Sequence, residues 1–192
     1  MDRLPVCTLS VLLMSLIGSL WPAAGGSLVY ERQAILEGEL WRLVTGHLVH
    51  FSSLHLAADL LVFGGAGLLI EREQGGRAAY LYLTTAGVIG CALLLFEPQL
   101  DRFGGLSGLA YGSVVYLAMS NLRRRGSGSA IALVVLTVLP LKLVIDCVQP
   151  ISILSGLEFQ PFVSVPLSHL VGVLTAGACF ISTSKENHHV PV

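Results

Sequence analysis

Apolar blocks constrain the fold of this chain more than any other feature of its sequence. Six of them are long, covering residues about 5–24, 51–70, 78–96, 106–121, 129–148 and 167–183. A helix of roughly 20 residues crosses a hydrocarbon core of about 30 Å. Because lipid offers no hydrogen-bond partners, each segment must pair its own backbone groups, which a helix does. The blocks predict an all-α, polytopic membrane protein: one domain over residues 1–192, with six transmembrane helices.

The composition agrees with a membrane protein and argues against a nucleic-acid partner. Hydrophobic residues make up 54% of the chain and charged residues only 12%, against roughly 25% charged residues in a soluble domain. The sequence carries no basic stripe of the kind that nucleic acid requires. We therefore expect the lipid bilayer to surround the protein and no nucleic acid to bind it.

The basic residues predict the orientation. If the N-terminus is cytoplasmic, the cytoplasmic ends of the helices hold seven Lys and Arg residues and the outer loops hold three. The seven are Arg3, Arg72, Arg77, Arg123, Arg124, Arg125 and Lys185; the three are Arg32, Arg42 and Arg102. This bias is typical of cytoplasmic loops and predicts a cytoplasmic N-terminus. We expect a multi-pass protein of a bacterial-type inner membrane. Lys142 lies within the fifth segment, where Asp146, one turn later, is placed to pair with it.

The first segment has two interpretations. Arg3 before an apolar run, with Ala23, Ala24 and Gly25 after it, is also the pattern of a cleaved signal peptide. We favour a retained helix, because an even number of crossings satisfies the charge pattern. Residues 25–50 then form a loop on the outer side that is longer than a turn requires, and long ordered loops often carry function.

The strongest chemical signal is the sequence G-G-L-S-G-L-A-Y-G at residues 104–112. Gly104, Gly108 and Gly112 recur every four residues, so they line one helix face and let a second helix approach closely. Ser107 opens this helix. It has a plain structural explanation as an N-cap, but the free N–H groups and positive dipole of a helix start also suit an oxyanion.

A histidine in the last segment is placed to meet this serine. His169 begins that segment, and Gly172 and Ala176 provide a matching small-residue face. If the two faces pack together, a neutral His169 can act as general base for Ser107. A structural hydrogen bond is the alternative role for a membrane histidine. Tyr111 lies one turn after Ser107, where its ring can stack on the imidazole. No carboxylate is predicted as a third member of the site.

A histidine cluster opens the second segment, with His47, His50, His55 and Asp59 inside residues 47–59. Imidazole and carboxylate groups are good metal ligands. The H-E-x-x-H signature of zinc proteases is absent, however, and the four cysteines show no C-x-x-C spacing. We expect no metal and no cofactor, and we expect His50 to point towards Ser107. A bridge between Cys91 and Cys147 stays open.

These motifs together resemble the rhomboid family of intramembrane serine proteases. The matching pieces are Trp41-Arg42, residues 47–59, Gly105-Leu106-Ser107-Gly108, Tyr111, and His169 with Gly172. The resemblance implies a six-helix fold in which Ser107 is the nucleophile and His169 the base. It also implies an oxyanion hole formed by His50 and the Ser107 backbone N–H.

The resemblance departs at one position of the oxyanion hole. The family places an asparagine side chain where this chain has Asp59. An ionised carboxylate only accepts hydrogen bonds and repels an oxyanion. Asp59 must then be protonated to serve there, which burial favours, or it pairs with His55 one turn earlier.

Within the family, the compact six-helix core is similar to rhombosortase. That similarity implies cleavage near the outer membrane face and removal of C-terminal sorting signals that combine a Gly-Gly motif, an apolar helix and a basic tail. The implied partners are membrane-anchored proteins with such an apolar C-terminal helix. The alternative is a catalytically silent protein that binds membrane clients, suggested by Asp59. A transporter is disfavoured, because the polar groups cluster near one face of the membrane.

Overall fold

The computed structural model describes residues 4–125, 128–148 and 165–186. The described chain is mostly helical, with one short 3-10 turn at Gly46–Leu48. In chain order the α-helices are α1 (Val6–Leu20), α2 (Pro22–Leu28), α3 (Arg32–Leu36), α4 (Arg42–Thr45), α5 (Ser53–Gln74), α6 (Arg77–Phe96), α7 (Ser107–Arg124), α8 (Ser129–Val148) and α9 (Pro166–Glu186). His188 and His189 lie outside the described part.

Four of the described helices, α5, α6, α8 and α9, are long and apolar enough to cross a membrane. Helix α1 is apolar but has only 15 residues. Helix α7 has 18 residues, and half of its positions are buried within the protein. A helix surrounded by other helices need not present an apolar surface to lipid. The predicted count of six crossings therefore stays a prediction.

The predicted first segment, about residues 5–24, contains two helices instead of one. Helix α1 ends at Leu20, and Trp21 is extended with φ −112° and ψ 101° before Pro22 begins α2. The pyrrolidine ring of a proline disfavours the helical conformation in the residue before it. The chain therefore breaks at Trp21, where apolarity alone predicted continuity.

Helix α1 is bound to α5 through its N-terminus. The carboxylate of Glu71 accepts hydrogen bonds from the backbone N–H groups of Cys7 and Thr8, at 2.8 and 2.7 Å, and from the Thr8 hydroxyl at 2.8 Å. Helix α1 has no capping side chain of its own, so Glu71 satisfies donors that would otherwise lack partners. These contacts make α1 part of the bundle.

Helices α7 and α9 pack backbone to backbone through their glycines. A Cβ added to Gly172 would lie 2.2 Å from the Gly108 carbonyl oxygen, and one added to Gly112 would lie 2.8 Å from the Gly172 carbonyl oxygen. Ala176 continues the contact and is fully buried. The small-residue faces predicted from the sequence are thus the faces that meet.

The loop predicted at 25–50 is folded against the rest of the protein. Two-residue strands, β1 (Tyr30–Glu31) and β2 (Arg102–Phe103), pair antiparallel, with Tyr30 opposite Phe103. Arg42 is buried and donates to the carbonyl oxygens of Gly26 and Val29 at 2.9 and 2.8 Å. This guanidinium fixes the loop beside β2, which leads directly into the segment before Ser107.

Two smaller expectations are also resolved by the structure. Lys142 and Asp146 form the predicted ion pair within α8. The four cysteines, all within the described residues, are free thiols, and Cys91 and Cys147 are both exposed. The bridge that the sequence left open is therefore not formed.

Candidate active site

Ser107 and His169 meet at the packed start of α7 and α9. The Ser107 Oγ lies 2.9 Å from Nε2 of His169, a distance typical of a hydrogen bond. Leu106 is the N-cap of α7, and no side chain caps that helix. The Ser107 hydroxyl is therefore used for the imidazole and not for the helix end.

Tyr111 holds the imidazole from one side. The rings of Tyr111 and His169 stack with centroids 4.3 Å apart and planes 3° from parallel. His169 is only 6% exposed, so its ring has little freedom to rotate. The stacking predicted from the one-turn spacing after Ser107 is present.

A carboxylate that the sequence did not predict lies at the Nδ1 edge of the imidazole, away from Ser107. An oxygen of Asp146, on α8, is 3.4 Å from Nδ1 of His169. The same oxygen accepts a 3.3 Å hydrogen bond from the Tyr111 hydroxyl. The i,i+4 spacing of Lys142 and Asp146 indicated their ion pair but not which face of α8 meets α9. The sequence therefore carried no sign that a carboxylate lies close to His169, and one does.

His50 lies beside Leu106, the residue that precedes Ser107. Its Nε2 is 3.2 Å from the Leu106 backbone N, and its Nδ1 is 3.2 Å from the Ser19 hydroxyl. That hydroxyl accepts from the His50 backbone N–H and faces the Leu48 carbonyl oxygen, to which it can donate. Ser19 therefore holds both the backbone and the ring of His50 against the segment that leads into α7.

Asp59 is engaged by two imidazoles. One of its oxygens lies 3.0 Å from Nε2 of His50 and 3.2 Å from Nε2 of His55. The carboxylate therefore links the two rings, and the pairing with His55 one turn earlier is present. Asp59 also contacts the ring that lies against Leu106.

His47 contacts two backbone carbonyl groups. Its Nδ1 lies 3.3 Å from the Gly105 carbonyl oxygen and its Nε2 lies 3.1 Å from that of Ala86. Burial lowers the pKa of His47 to about 4, so the ring is neutral at pH 7 and donates one of these bonds. Among the described residues no group of three or more His, Cys, Asp or Glu side chains is arranged to hold a metal ion.

The turn before Ser107 requires a glycine. Gly105 has φ +145°, a conformation that side chains with a Cβ rarely adopt. A Cβ at this position would also lie 2.9 Å from Cε1 of His55. Gly105 therefore allows the chain to pass between the histidine cluster and α7 and to present Ser107 at the helix start.

The assembled groups are suited to acyl transfer. A hydroxyl lies within hydrogen-bond distance of a buried imidazole, and the free N–H groups of the first turn of α7 lie next to the hydroxyl. Such N–H groups can stabilise a developing oxyanion. The arrangement supplies a nucleophile, a base and donors for an oxyanion within one contact between helices.

Comparison with known families gives a single consistent result. The model of the rhomboid domain matches residues 37–184 of the chain. This segment contains Ser107, His169 and the histidine cluster.

Three curated relatives are informative. The rhomboid protease GlpG homolog of Cronobacter sakazakii is 33% identical over 129 residues, which are 67% of this chain and 45% of that protein. The rhomboid protease GlpG of Photorhabdus laumondii is 32% identical over 131 residues, covering 63% of this chain and 45% of that protein. The rhomboid protease GluP of Bacillus subtilis is 36% identical over 96 residues, covering 47% of this chain and 18% of that protein. The matched part of the chain thus spans less than half the length of these relatives.

Proposed function

We propose that this chain, which belongs to the rhomboid family, is an intramembrane serine endopeptidase with Ser107 and His169 as its catalytic dyad. The observation that carries the proposal is the 2.9 Å contact between the Ser107 Oγ and Nε2 of His169. The similarity to relatives named as rhomboid proteases supports the same activity.

In this proposal the reaction is a two-step acyl transfer. Nε2 of His169 takes the Ser107 proton as Oγ attacks the scissile carbonyl, and the imidazolium returns that proton to the leaving amine. Water then attacks the acyl-enzyme, with His169 again as base, and releases the new carboxyl terminus. The N–H groups at the start of α7, with His50, stabilise the oxyanion, while Asp59 holds the ring of His50.

We further place the active site near the outer face of the membrane. Ser107 opens α7, and Arg124 at the opposite end of that helix forms a 2.8 Å ion pair with Glu73 at the end of α5. The basic ends of α5 and α7 therefore lie together, away from the dyad. Helix ends that are rich in Lys and Arg favour the cytoplasmic side of the membrane. If the chain crosses an inner membrane six times, its N-terminus is cytoplasmic as well.

The substrates that we propose are membrane-anchored proteins with an apolar C-terminal helix, and in particular a Gly-Gly sorting signal. A dyad within the bundle near one membrane face suits a cleavage site close to the end of a transmembrane helix. Small residues there let a substrate helix unwind, since glycine has low helix propensity.

This substrate class can be tested in cells. We expect cells with the native protein to release proteins from which a Gly-Gly-type C-terminal signal has been removed. Cells with only the Ser107→Ala variant should retain the same proteins in the membrane, with the signal attached. Mass spectrometry of the C-terminal peptides in both fractions measures the difference. Identical C-termini in the two strains would remove this substrate class, although not protease activity in general.

A catalytically silent client-binding protein is the second candidate, favoured by the carboxylate at Asp59. We expect the native protein to be active and the Asp59→Asn variant to cleave about three- to tenfold faster. The amide oxygen can still accept a hydrogen bond from His50, while the change removes a negative charge that opposes the oxyanion beside that ring. A gain equal to one hydrogen bond, about 1 kcal/mol, corresponds to this range of rates. Turnover of a reporter substrate by both proteins gives the measurement.

The exposed Asp101 provides the matched control, since Asp101→Asn removes the same charge outside the site. The alternative function, a catalytically silent client-binding protein, predicts a different pattern. In that case the native protein is inert, and only Asp59→Asn acquires activity that depends on Ser107.

A further inference from the structure

Helix α8 is largely exposed, and one of its few buried side chains is charged. Among its positions only Ala132 and Asp146 are buried, and Asp146 is 4% exposed. A carboxylate inside a membrane bundle is costly unless it has partners. Asp146 therefore needs an explanation beyond packing, and its contacts point towards α7 and α9.

His169 has an unmet requirement on the side that faces Asp146. For Nε2 to accept the Ser107 proton, a neutral ring must carry its own proton on Nδ1. Nδ1 is buried without a hydrogen-bond partner in the described structure, while Asp146 is 3.4 Å away. That distance exceeds a formed N–H···O bond of about 2.7–3.2 Å, but catalytic hydrogen bonds are often long before substrate binds.

We infer that Asp146 is a positioning residue that completes a Ser107–His169–Asp146 triad, with the carboxylate supplied by α8. The inference rests on the proposed protease function. Asp146 accepts the Nδ1 proton of His169, fixes the tautomer that leaves Nε2 free, and stabilises the imidazolium formed when Ser107 attacks. It touches no substrate and acts only through the histidine.

The other partners of Asp146 hold the carboxylate in place for this role. Lys142 contacts one of its oxygens, and the Tyr111 hydroxyl binds the other at 3.3 Å. The oxygen bound by Tyr111 is the one that faces Nδ1. Because Tyr111 also stacks on the imidazole, a single residue aligns both the ring and the carboxylate.

The test separates this role from a simple ion pair with Lys142. Asp146→Asn leaves Lys142 without its partner and can fail to fold for that reason. The double variant Lys142→Gln/Asp146→Asn removes both charges, so neither is left without its partner. Asp146→Glu keeps the carboxylate. Each protein is purified in detergent, its melting temperature is measured, and its kcat and KM are determined on a transmembrane reporter substrate.

We expect the double variant to fold and to have a kcat about 10²-fold below that of the native protein, with KM within about twofold. Asp146→Glu should recover at least a tenth of the native kcat. A double variant within about threefold of the native kcat would overturn the inference, since the carboxylate would then serve only the ion pair. If the native protein itself fails to cleave while folded, both the protease function and the inference fall.

Discussion

The Ser107→Ala variant is expected to fold like the native protein and to lose cleavage of a transmembrane reporter by about 10⁴-fold or more, to the background rate. The hydroxyl caps no helix, and its side-chain partner in the described structure is His169. Its loss therefore costs roughly 1 kcal/mol of stability but removes the nucleophile. Cleavage in detergent and the melting temperature of both proteins are the measurements.

Ser113 on the same helix provides the matched control. It is buried and two turns from Ser107, so Ser113→Ala deletes a buried hydroxyl from α7 without touching the dyad. We expect this variant to keep most of the native rate. Undiminished cleavage by Ser107→Ala, or an equal loss in Ser113→Ala, would show that Ser107 is not the nucleophile.

Gly172→Ala is expected to destabilise the protein by about 1–3 kcal/mol and to reduce reaction of Ser107 with a fluorophosphonate by more than tenfold. The new methyl group would lie 2.2 Å from the Gly108 carbonyl oxygen, so α7 and α9 must move apart. Because Ser107 and His169 lie on these two helices, a displacement of about 1 Å can cost 10²-fold in rate. Thermal melting and labelling kinetics measure the two effects.

Gly177 on the same helix separates packing from helix propensity. A Cβ at Gly177 meets no atom within 4 Å, so Gly177→Ala should be neutral or stabilising by up to about 1 kcal/mol. If Gly172→Ala behaved like Gly177→Ala, close backbone packing would not be what joins the two halves of the site.

The sequence predicted the helices that face lipid better than the one that does not. The fifth segment, predicted at 129–148, has the bounds of α8, because most of this helix is exposed and its residues must be apolar. Helix α7 is enclosed by other helices and uses polar and small residues, so apolarity is a poor guide to its length. Pro22 favours the helix break at Trp21, but the apolar run continues across it, so apolarity alone predicted one helix.

The site was predicted where local spacing determines contact. Glycines at intervals of four predicted the meeting of Ser107 with His169, and the one-turn offset of Tyr111 predicted its stacking. The approach of Asp146 to His169 depends on how α8 is rotated about its axis, which spacing within one helix does not determine. The same holds for Glu71, whose contact with α1 joins residues 63 positions apart.

The most direct test of the central claim is mass spectrometry of the native protein after reaction with a fluorophosphonate, with His169→Ala treated in parallel. A nucleophile activated by His169 predicts one adduct, on the peptide that contains Ser107, and a labelling rate at least about 10²-fold lower in the variant. An absence of adduct on the folded native protein, an adduct on another residue, or equal labelling of His169→Ala would contradict the catalytic dyad.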